Sequence, residues 1–424
     1  MAVIPHDAGS NQPAHQASGT LNTRFTQALD GWLQTAKLTL NTLPNTNQTS
    51  TEPPIPTPSP GEIISLPVVF PAHPSRHIRA EIRIQDGCDA HCTFCIIPKI
   101  RPTLRSKSIA DAVAEARALV ALGHVEIVLS GIFLGAFGHP TALRRRQSAP
   151  GAPYLAELLD AVAAVPGLER LRISSMEPMD VTDELLDAMV ANRGVVVPHL
   201  HLPLQSGSNA ILRRMNRQYD ADDYRAMLDR VESALTEHGL PPAITTDIIC
   251  GFPGSTEDDF QATVAMAERA SYLHIHAFPF SPRQGTAAAR WKADMVPMDV
   301  RRRRVRDLME LEQRPGDGLA DRFRRRLIGR TLRIVVEGPA ELAEAGSRRR
   351  TTDAPAPPNH PVPPDHPDHP DWIVGRCDHH VRVRVRSNAP RGSILHVRAD
   401  ALDTDAIVAT DVAASTITLP QLTG

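Results

Sequence analysis

From residue 78 to residue 280, short apolar runs alternate with helix-period segments six times, and that rhythm leaves few folds open. The strand-like runs are AEIRIQ (80–85), VEIVLS (125–130), RLRISS (170–175), HLHLPLQ (199–205), AITTDIIC (243–250) and YLHIHAFPF (272–280). Between them lie stretches such as SIADAVAEARALVALG and TEDDFQATVAMAERA, whose apolar residues recur at helical spacing. A parallel strand pair cannot be joined by a tight turn, so this alternation predicts a parallel sheet with right-handed helical crossovers. Six units fall short of the eight of a closed βα barrel. The expectation is an open, partial (β/α)6 barrel over residues 77–298.

Each predicted strand runs out into small or polar residues: Gly87-Cys88, Ser130-Gly131, Ser174-Ser175, Gln205-Ser206-Gly207, Gly251 and Ser281. One such end marks only a turn. Six on one edge favour a site, because parallel α/β folds carry their chemistry at the carboxyl ends of the strands.

The loop after the first strand reads IQDGCDAHCTFCIIPKIRP and spends three of the chain's five cysteines, Cys88, Cys92 and Cys95. Three thiolates at C-x3-C-x2-C spacing can serve zinc or an iron–sulfur cluster. Structural zinc takes four ligands, and no fourth Cys or His follows at finger-like spacing; His91 is too near Cys92 to complete a tetrahedron comfortably. A cubane cluster usually takes four cysteines. Three would leave one iron open, and an open metal position is a reactive one.

The flanks read differently. Residues 1–76 include the Pro/Thr/Ser/Asn tract NTLPNTNQTSTEPPIPTPSPGE, which cannot bury enough apolar surface to offset chain entropy, so a mostly disordered tract is expected, with one candidate helix in TRFTQALDGWLQTAKLTL. Residues 299–328 form a basic helical connector; the stretch 301–330 holds 11 arginines against five acids. Residues 329–424 read as a small all-β domain with a Pro/His-rich insertion at about 340–371. Within it VRVRVR alternates strictly, setting Val381, Val383 and Val385 on one face and Arg382, Arg384 and Arg386 on the other. Formal net charge is -2, so nucleic-acid contact falls to local basic patches. No apolar run is long enough to span a membrane, no secretory signal is recognisable, and the odd cysteine count argues against a disulfide framework. A cytoplasmic protein is expected.

The cysteine loop after the first strand of a βα series resembles the radical S-adenosylmethionine (radical SAM) superfamily, in which the open iron of a 4Fe-4S cluster binds S-adenosylmethionine and a 5′-deoxyadenosyl radical is released. IQDGCDAHCTFCIIP, EIVLSGIFLGAFG, RLRISSMEP, HLHLPLQSGSNAILRRMNRQY, TTDIICGFPGSTEDDF and FPFSPRQGTAAA resemble the tRNA methylthiotransferases, and VLSGIFLGAFG with PHLHLPLQSGS is most similar to the branch acting on threonylcarbamoyladenosine beside the anticodon. The resemblance implies that Cys88, Cys92 and Cys95 ligate one 4Fe-4S cluster. It further implies that Phe94, Ser174, Ser175, Glu177, Gln205, Ser206, Asp247 and Gly251 lie around the S-adenosylmethionine. The final β domain more loosely resembles the family's RNA-binding TRAM domain, with Arg382, Arg384 and Arg386 as phosphate contacts. tRNA and an electron donor are the implied partners.

One departure stands out. The family carries a second cluster on three cysteines of an N-terminal domain, and residues 1–76 hold none. Radical generation is therefore expected, while sulfur insertion would call on a sulfur-donor protein. Other radical chemistry on RNA, or a non-catalytic zinc or cluster RNA-binding protein, are the rival readings.

Overall fold

The computed structural model describes residues 64–66, 78–143, 154–339 and 371–412, which all belong to one compact unit. The candidate helix in the N-terminal tract and the Pro/His-rich insertion lie outside the described residues. Six parallel strands follow in order: β2 (Arg79–Asp86), β4 (Glu126–Gly131), β5 (Arg170–Ile173), β6 (His199–His201), β7 (Ala243–Cys250) and β8 (His274–Pro279). The short strands β1 (Ile64–Ser65) and β3 (Arg105–Ser106) extend the β2 edge. β2, β4 and β5 pair in parallel, as do β6, β7 and β8. A bridge from Leu171 to Val196 and a hydrogen bond from the Met176 amide to the His201 carbonyl join the halves. The β6 ladder stops at His201, beyond which the Thr246 hydroxyl donates to the Leu202 carbonyl and accepts from the Leu204 amide. Among the described residues β8 does not pair with β2, so the barrel is open as the repeat number predicts.

Period-2 alternation sorts the strand residues. Ile82, Ile84, Ile127, Leu129, Leu171 and Leu200 are all 0% exposed and belong to the core shared with the helices. Burying each side chain of this kind stabilises the fold by roughly 1.5–3 kcal/mol. Their neighbours Arg79, Glu126, Val128, Arg172, His199, His201, Asp247 and His276 face the other way, into the barrel. The covering helices are α2 (Ile109–Ala121), α3 (Leu155–Ala163), α4 (Asp183–Ala191), α6 (Ala221–Leu235) and α7 (Glu257–Ala270), with the short α1 (Ile97–Ile100) and α5 (Asn209–Arg214) in loops. Their starts are fixed by side-chain caps. The Asp220 carboxylate accepts from the amides of Asp222 and Asp223, and Thr256 forms a capping box with Asp259.

The basic connector forms α8 (Met298–Gln313) and α9 (Leu319–Arg325). Two of its arginines are structural. Arg301 donates to the carbonyls of Val296 and Phe280, and Arg304 to Ser255 Oγ and the Thr256 carbonyl, both largely buried. The C-terminal part is a closed five-stranded barrel ordered β10-β11-β13-β12-β9, from β9 (Thr331–Pro339), β10 (Trp372–Cys377), β11 (Arg382–Arg386), β12 (Ile394–Asp403) and β13 (Ala406–Asp411). Sequence reading finds three of these strands and misses β10 and β13. Val381, Val383 and Val385 do enter its core, as the alternation requires. The two domains meet at Arg170, whose guanidinium donates to the Arg376 and Cys377 carbonyls at 2.7 and 2.9 Å.

Candidate active site

The cysteine loop leaves β2 through Gly87, at φ +83°, where a Cβ would sit 2.0 Å from the Thr103 carbonyl oxygen; only glycine fits. The loop is then held from several sides. The Cys88 amide donates to the Arg101 carbonyl at 3.0 Å, Thr93 donates through its amide and hydroxyl to the carbonyls of Met215 and Arg214, and Asn216 donates to the His91 carbonyl. The Asp89 carboxylate accepts from Thr141 and the Ala142 amide, both at 2.6 Å. His91 is exposed.

Cys88 is buried among Ala90, Leu104, Ala136 and Ala142, and burial pushes its thiol up to about 12. Burial raises Cys92 as well, opposed by Arg217. Thiols in such surroundings become thiolates when a metal supplies the positive charge. The three thiols of one loop fit a multi-iron cluster.

Arg217, which sequence reading misses, is the chief addition. Its Nη1 donates to Cys92 Sγ at 3.2 Å, its Nη2 pairs with Glu177, and the guanidinium lies 5.1 Å from the Tyr219 ring centroid. Burial disfavours its charge, yet Glu177 beside it holds its pKa above the ordinary arginine value. Glu177 thus stands next to the cysteine loop as half of a charged pair. The signal available in sequence was the lone Arg in MNRQY, directly after the α5 segment.

The other expected residues scatter by role. Ser174 and Ser175 line a cavity of about 480 Å³ inside the barrel, together with Arg79, Arg172, His199, His201, Asp247, His276 and His380. Gln205 holds φ +60°, and its backbone bonds both ways with β7, through the Asp247 carbonyl and the Ile249 amide. Ser206 is 4% exposed and turns into the loop, where its Oγ accepts from the Ser208 amide at 3.2 Å. At Gly251, φ +69°, a Cβ would meet Arg301 Cγ at 2.5 Å, so this glycine makes room for the connector arginine. Phe94 packs edge-on against Phe252 at 6.3 Å, in an apolar cluster beside the loop. Asp247 faces the chamber, its Oδ2 3.4 Å from His201 Nε2, and His201 Nδ1 lies 2.9 Å from Thr245 Oγ1.

The chamber histidines were legible in principle: in HLHLPLQ and YLHIHAFPF they alternate with residues of the opposite face. Burial and neighbouring Arg172 keep His199 well below the usual imidazole range, and burial lowers His276. Below them lies an ion-pair cluster. Burial opposes ionisation of Glu126, but Arg172, Arg170 and Arg79 outweigh it and lower its pKa.

In the C-terminal barrel the expected arginine row is already engaged. Arg382 pairs with Asp405 at 2.7 Å, Arg384 with Asp403 and Asp405, and Arg386 with Asp371 at 3.5 Å; Arg384 is 6% exposed. Cys250 and Cys377 are buried and lie apart from the cysteine loop, as ordinary core residues.

The open βα barrel with three cysteines in the loop after its first barrel strand coincides with residues 82–267, which match the family model described as Radical SAM superfamily. Over that domain the chain is a relative of the tRNA methylthiotransferases. It is 40% identical over 295 residues to tRNA-2-methylthio-N(6)-dimethylallyladenosine synthase of Mycolicibacterium gilvum, covering 68% of this chain and 54% of the relative. To threonylcarbamoyladenosine tRNA methylthiotransferase MtaB of Bacillus subtilis it is 38% identical over 259 residues, covering 61% and 53%. The chain thus spans about half the length of these curated relatives. Among solved structures, the radical S-adenosylmethionine methyltransferase TsrM of Kitasatospora setae gives a TM-score of 0.40 at 15% identity, covering 50% of this chain and 38% of that one. Among the described residues no helix is long and apolar enough to cross a membrane.

Proposed function

We propose that this protein modifies an N6-substituted adenosine beside the anticodon of tRNA by radical chemistry, adding a methylthio group, and that the threonylcarbamoyl derivative is its substrate. Cys88, Cys92 and Cys95 would hold one 4Fe-4S cluster, which with bound S-adenosylmethionine supplies a 5′-deoxyadenosyl radical. Glu177 and Arg217 present fixed opposite charges beside Cys92, a match for the ammonium and carboxylate of the cofactor's methionine end. Ser174, Ser175 and Asp247 line the barrel cavity, and Phe94, packed edge-on against the buried Phe252, would offer an aromatic face beside the loop.

The observation that carries the choice of substrate is a set of polar groups in the chamber, which Val128, Ile173 and Phe278 also line. His199, His201, Asp247, His276, Arg172 and Ser174 line it. A dimethylallyl chain would desolvate these groups and pair with none of them, a penalty of roughly 1–3 kcal/mol for each group left unmatched. A threonylcarbamoyl group brings a carboxylate, a hydroxyl and urea-type N–H and C=O groups that answer them.

The tRNA would be held through the C-terminal barrel and the connector. Arg302, Arg306, Arg325 and Arg326 are exposed and form no ion pair among the described residues, which makes them better phosphate contacts than the paired Arg382, Arg384 and Arg386. An external electron donor is needed to reduce the cluster, and a sulfur-donor protein is the proposed source of the inserted sulfur.

The test is direct. The anaerobically reconstituted protein is incubated with S-adenosylmethionine, a reductant, a sulfide source and anticodon stem–loops carrying either substituent, and the nucleosides are read by mass spectrometry. A methylthio product from the threonylcarbamoyl stem–loop is expected. Product only from the dimethylallyl one overturns the substrate choice, and no 5′-deoxyadenosine with either overturns the radical reading.

A further inference from the structure

The junction between the two domains carries more positive charge than it neutralises. Arg79, Arg170, Arg172, Arg333 and Arg376 share Glu126, Glu337 and Asp378 in one connected set of ion pairs. Five guanidiniums against three carboxylates leave an excess of two. Arg170 and Arg172 are 0% and 4% exposed and meet the carboxylates of Glu126 and Asp378, while Arg79 and Arg376 are 38% and 35% exposed. The excess therefore reaches the cavity through Arg79, where it can attract an anion.

Of these five, Arg79 and Arg172 also line the chamber. Beside them comes a residue from the other domain. The turn between β10 and β11 carries His380, at φ +63°, whose ring stacks on His199 at 4.7 Å and lines the same cavity. The turn is fastened from below, since Arg172 and Arg170 both donate to the Cys377 carbonyl. The Nδ1 atoms of His199 and His380 are buried without a hydrogen bond among the described residues. A buried polar atom left unpaired is the signature of a missing partner. Burial, with Arg172 nearby, keeps both rings neutral, so each keeps one ring nitrogen as donor and one as acceptor.

These groups sit at the amino ends of the strands, while the cysteine loop sits at their carboxyl ends. From Arg79 to Asp86 the strand rises roughly 23 Å at about 3.3 Å per residue. That separation sets these groups well apart from the cysteine loop.

We propose that the C-terminal barrel completes the reaction chamber: His380, with Arg79 and Arg172, forms an anion subsite on its floor that takes the carboxylate of the substrate's N6 substituent. The proposal rests on the substrate reading above and deepens it. The same positive charge would also suit an anticodon-loop phosphate, so the test keeps every phosphate constant.

Stem–loops of one sequence are prepared with adenosine, N6-threonylcarbamoyladenosine or the methyl ester of the latter beside the anticodon. Their affinities for the reconstituted full chain are measured by fluorescence anisotropy. The free acid should bind roughly tenfold or more tighter than its ester, the scale of one charge-assisted contact. His380→Ala and Arg79→Gln should bring that ratio towards one, with His380→Asn as the milder variant should His380→Ala fold poorly. Equal binding of acid and ester by the unaltered protein, or a ratio retained in the His380 and Arg79 variants, overturns the subsite. Release of 5′-deoxyadenosine, measured alongside, separates the two readings. Acid-over-ester selectivity without release sinks the radical chemistry and keeps the subsite; release without selectivity does the reverse.

Discussion

The Nη1 of Arg217 lies 3.2 Å from Cys92 Sγ, across 125 residues of chain, and its other nitrogen is paired with Glu177. Charge on the cysteine loop is thereby tied to the segment that follows β5. Arg217→Ala would leave Glu177 as an unpaired, largely buried carboxylate. Breaking such a pair costs about 3–5 kcal/mol. A drop of that order in denaturant stability, with weaker retention of iron, is expected; an unchanged midpoint would mean the pair is solvated in solution.

Cluster loading gives the second prediction. The unaltered chain should take up roughly four irons through its single triplet. Replacing Cys88, Cys92 and Cys95 together by Ala should abolish both iron uptake and 5′-deoxyadenosine release while leaving the far-ultraviolet circular dichroism in place. Zinc bound at one equivalent instead of iron would defeat the cluster assignment.

Gly87→Ala tests how the loop is built. The new Cβ would collide with the Thr103 carbonyl at a φ that L-residues avoid. Strain of this kind costs about 1–3 kcal/mol before the clash is counted. Lower thermal stability and reduced iron occupancy should appear together, and full occupancy in a stable variant would show that the loop can relax elsewhere.

The pH dependence of stability follows from the domain junction. Burial holds His379 down to about 4, and keeps His199 and His380 well below the usual imidazole range. Between the unfolded histidine value of about 6.5 and those folded values, the unfolded chain binds more protons than the folded one. Stability present above pH 6.5 is therefore lost as pH falls, and Glu126, with its lowered pKa, adds to the loss at more acid pH. Each such group contributes about 1.4 kcal/mol per pH unit within its window. Denaturant melts from pH 7.5 to 4.5 should show the decline, shallower by about one proton in His379→Gln. A pH-independent midpoint would mean that these rings are not buried in solution.

Salt titration of tRNA binding separates two arginine groups. Arg302→Gln with Arg306→Gln should reduce the slope of log affinity against log salt by roughly 0.7–0.9 per residue. Arg384→Gln should instead destabilise the barrel, since Arg384 is buried against Asp403 and Asp405. If the Arg384 variant is the one that flattens the slope, the phosphate face lies on the barrel after all.

Much of this was readable in the chain. The alternation of strand and helix gives the six parallel strands and their open closure, and strict alternation in VRVRVR correctly sends Val381, Val383 and Val385 into the barrel core. The three cysteines share the one loop after β2 that their spacing requires. Ser206 and Gly251 show the limit: both stand at strand ends, yet one serves its own loop and the other makes room for Arg301. A small residue at a strand end looks alike in sequence whether it faces a ligand or a neighbouring helix.

By itself the sequence determined which side chains share a face and which thiols share a loop, because strand period and short-range spacing are local properties of the chain. Only the tertiary structure decided where the charges go. Arg217 meets Cys92, Arg384 meets Asp403, and His380 stacks on His199 across a domain boundary. Those pairings depend on how distant elements dock, and a buried charge takes its partner from whatever the docking brings within a few ångströms.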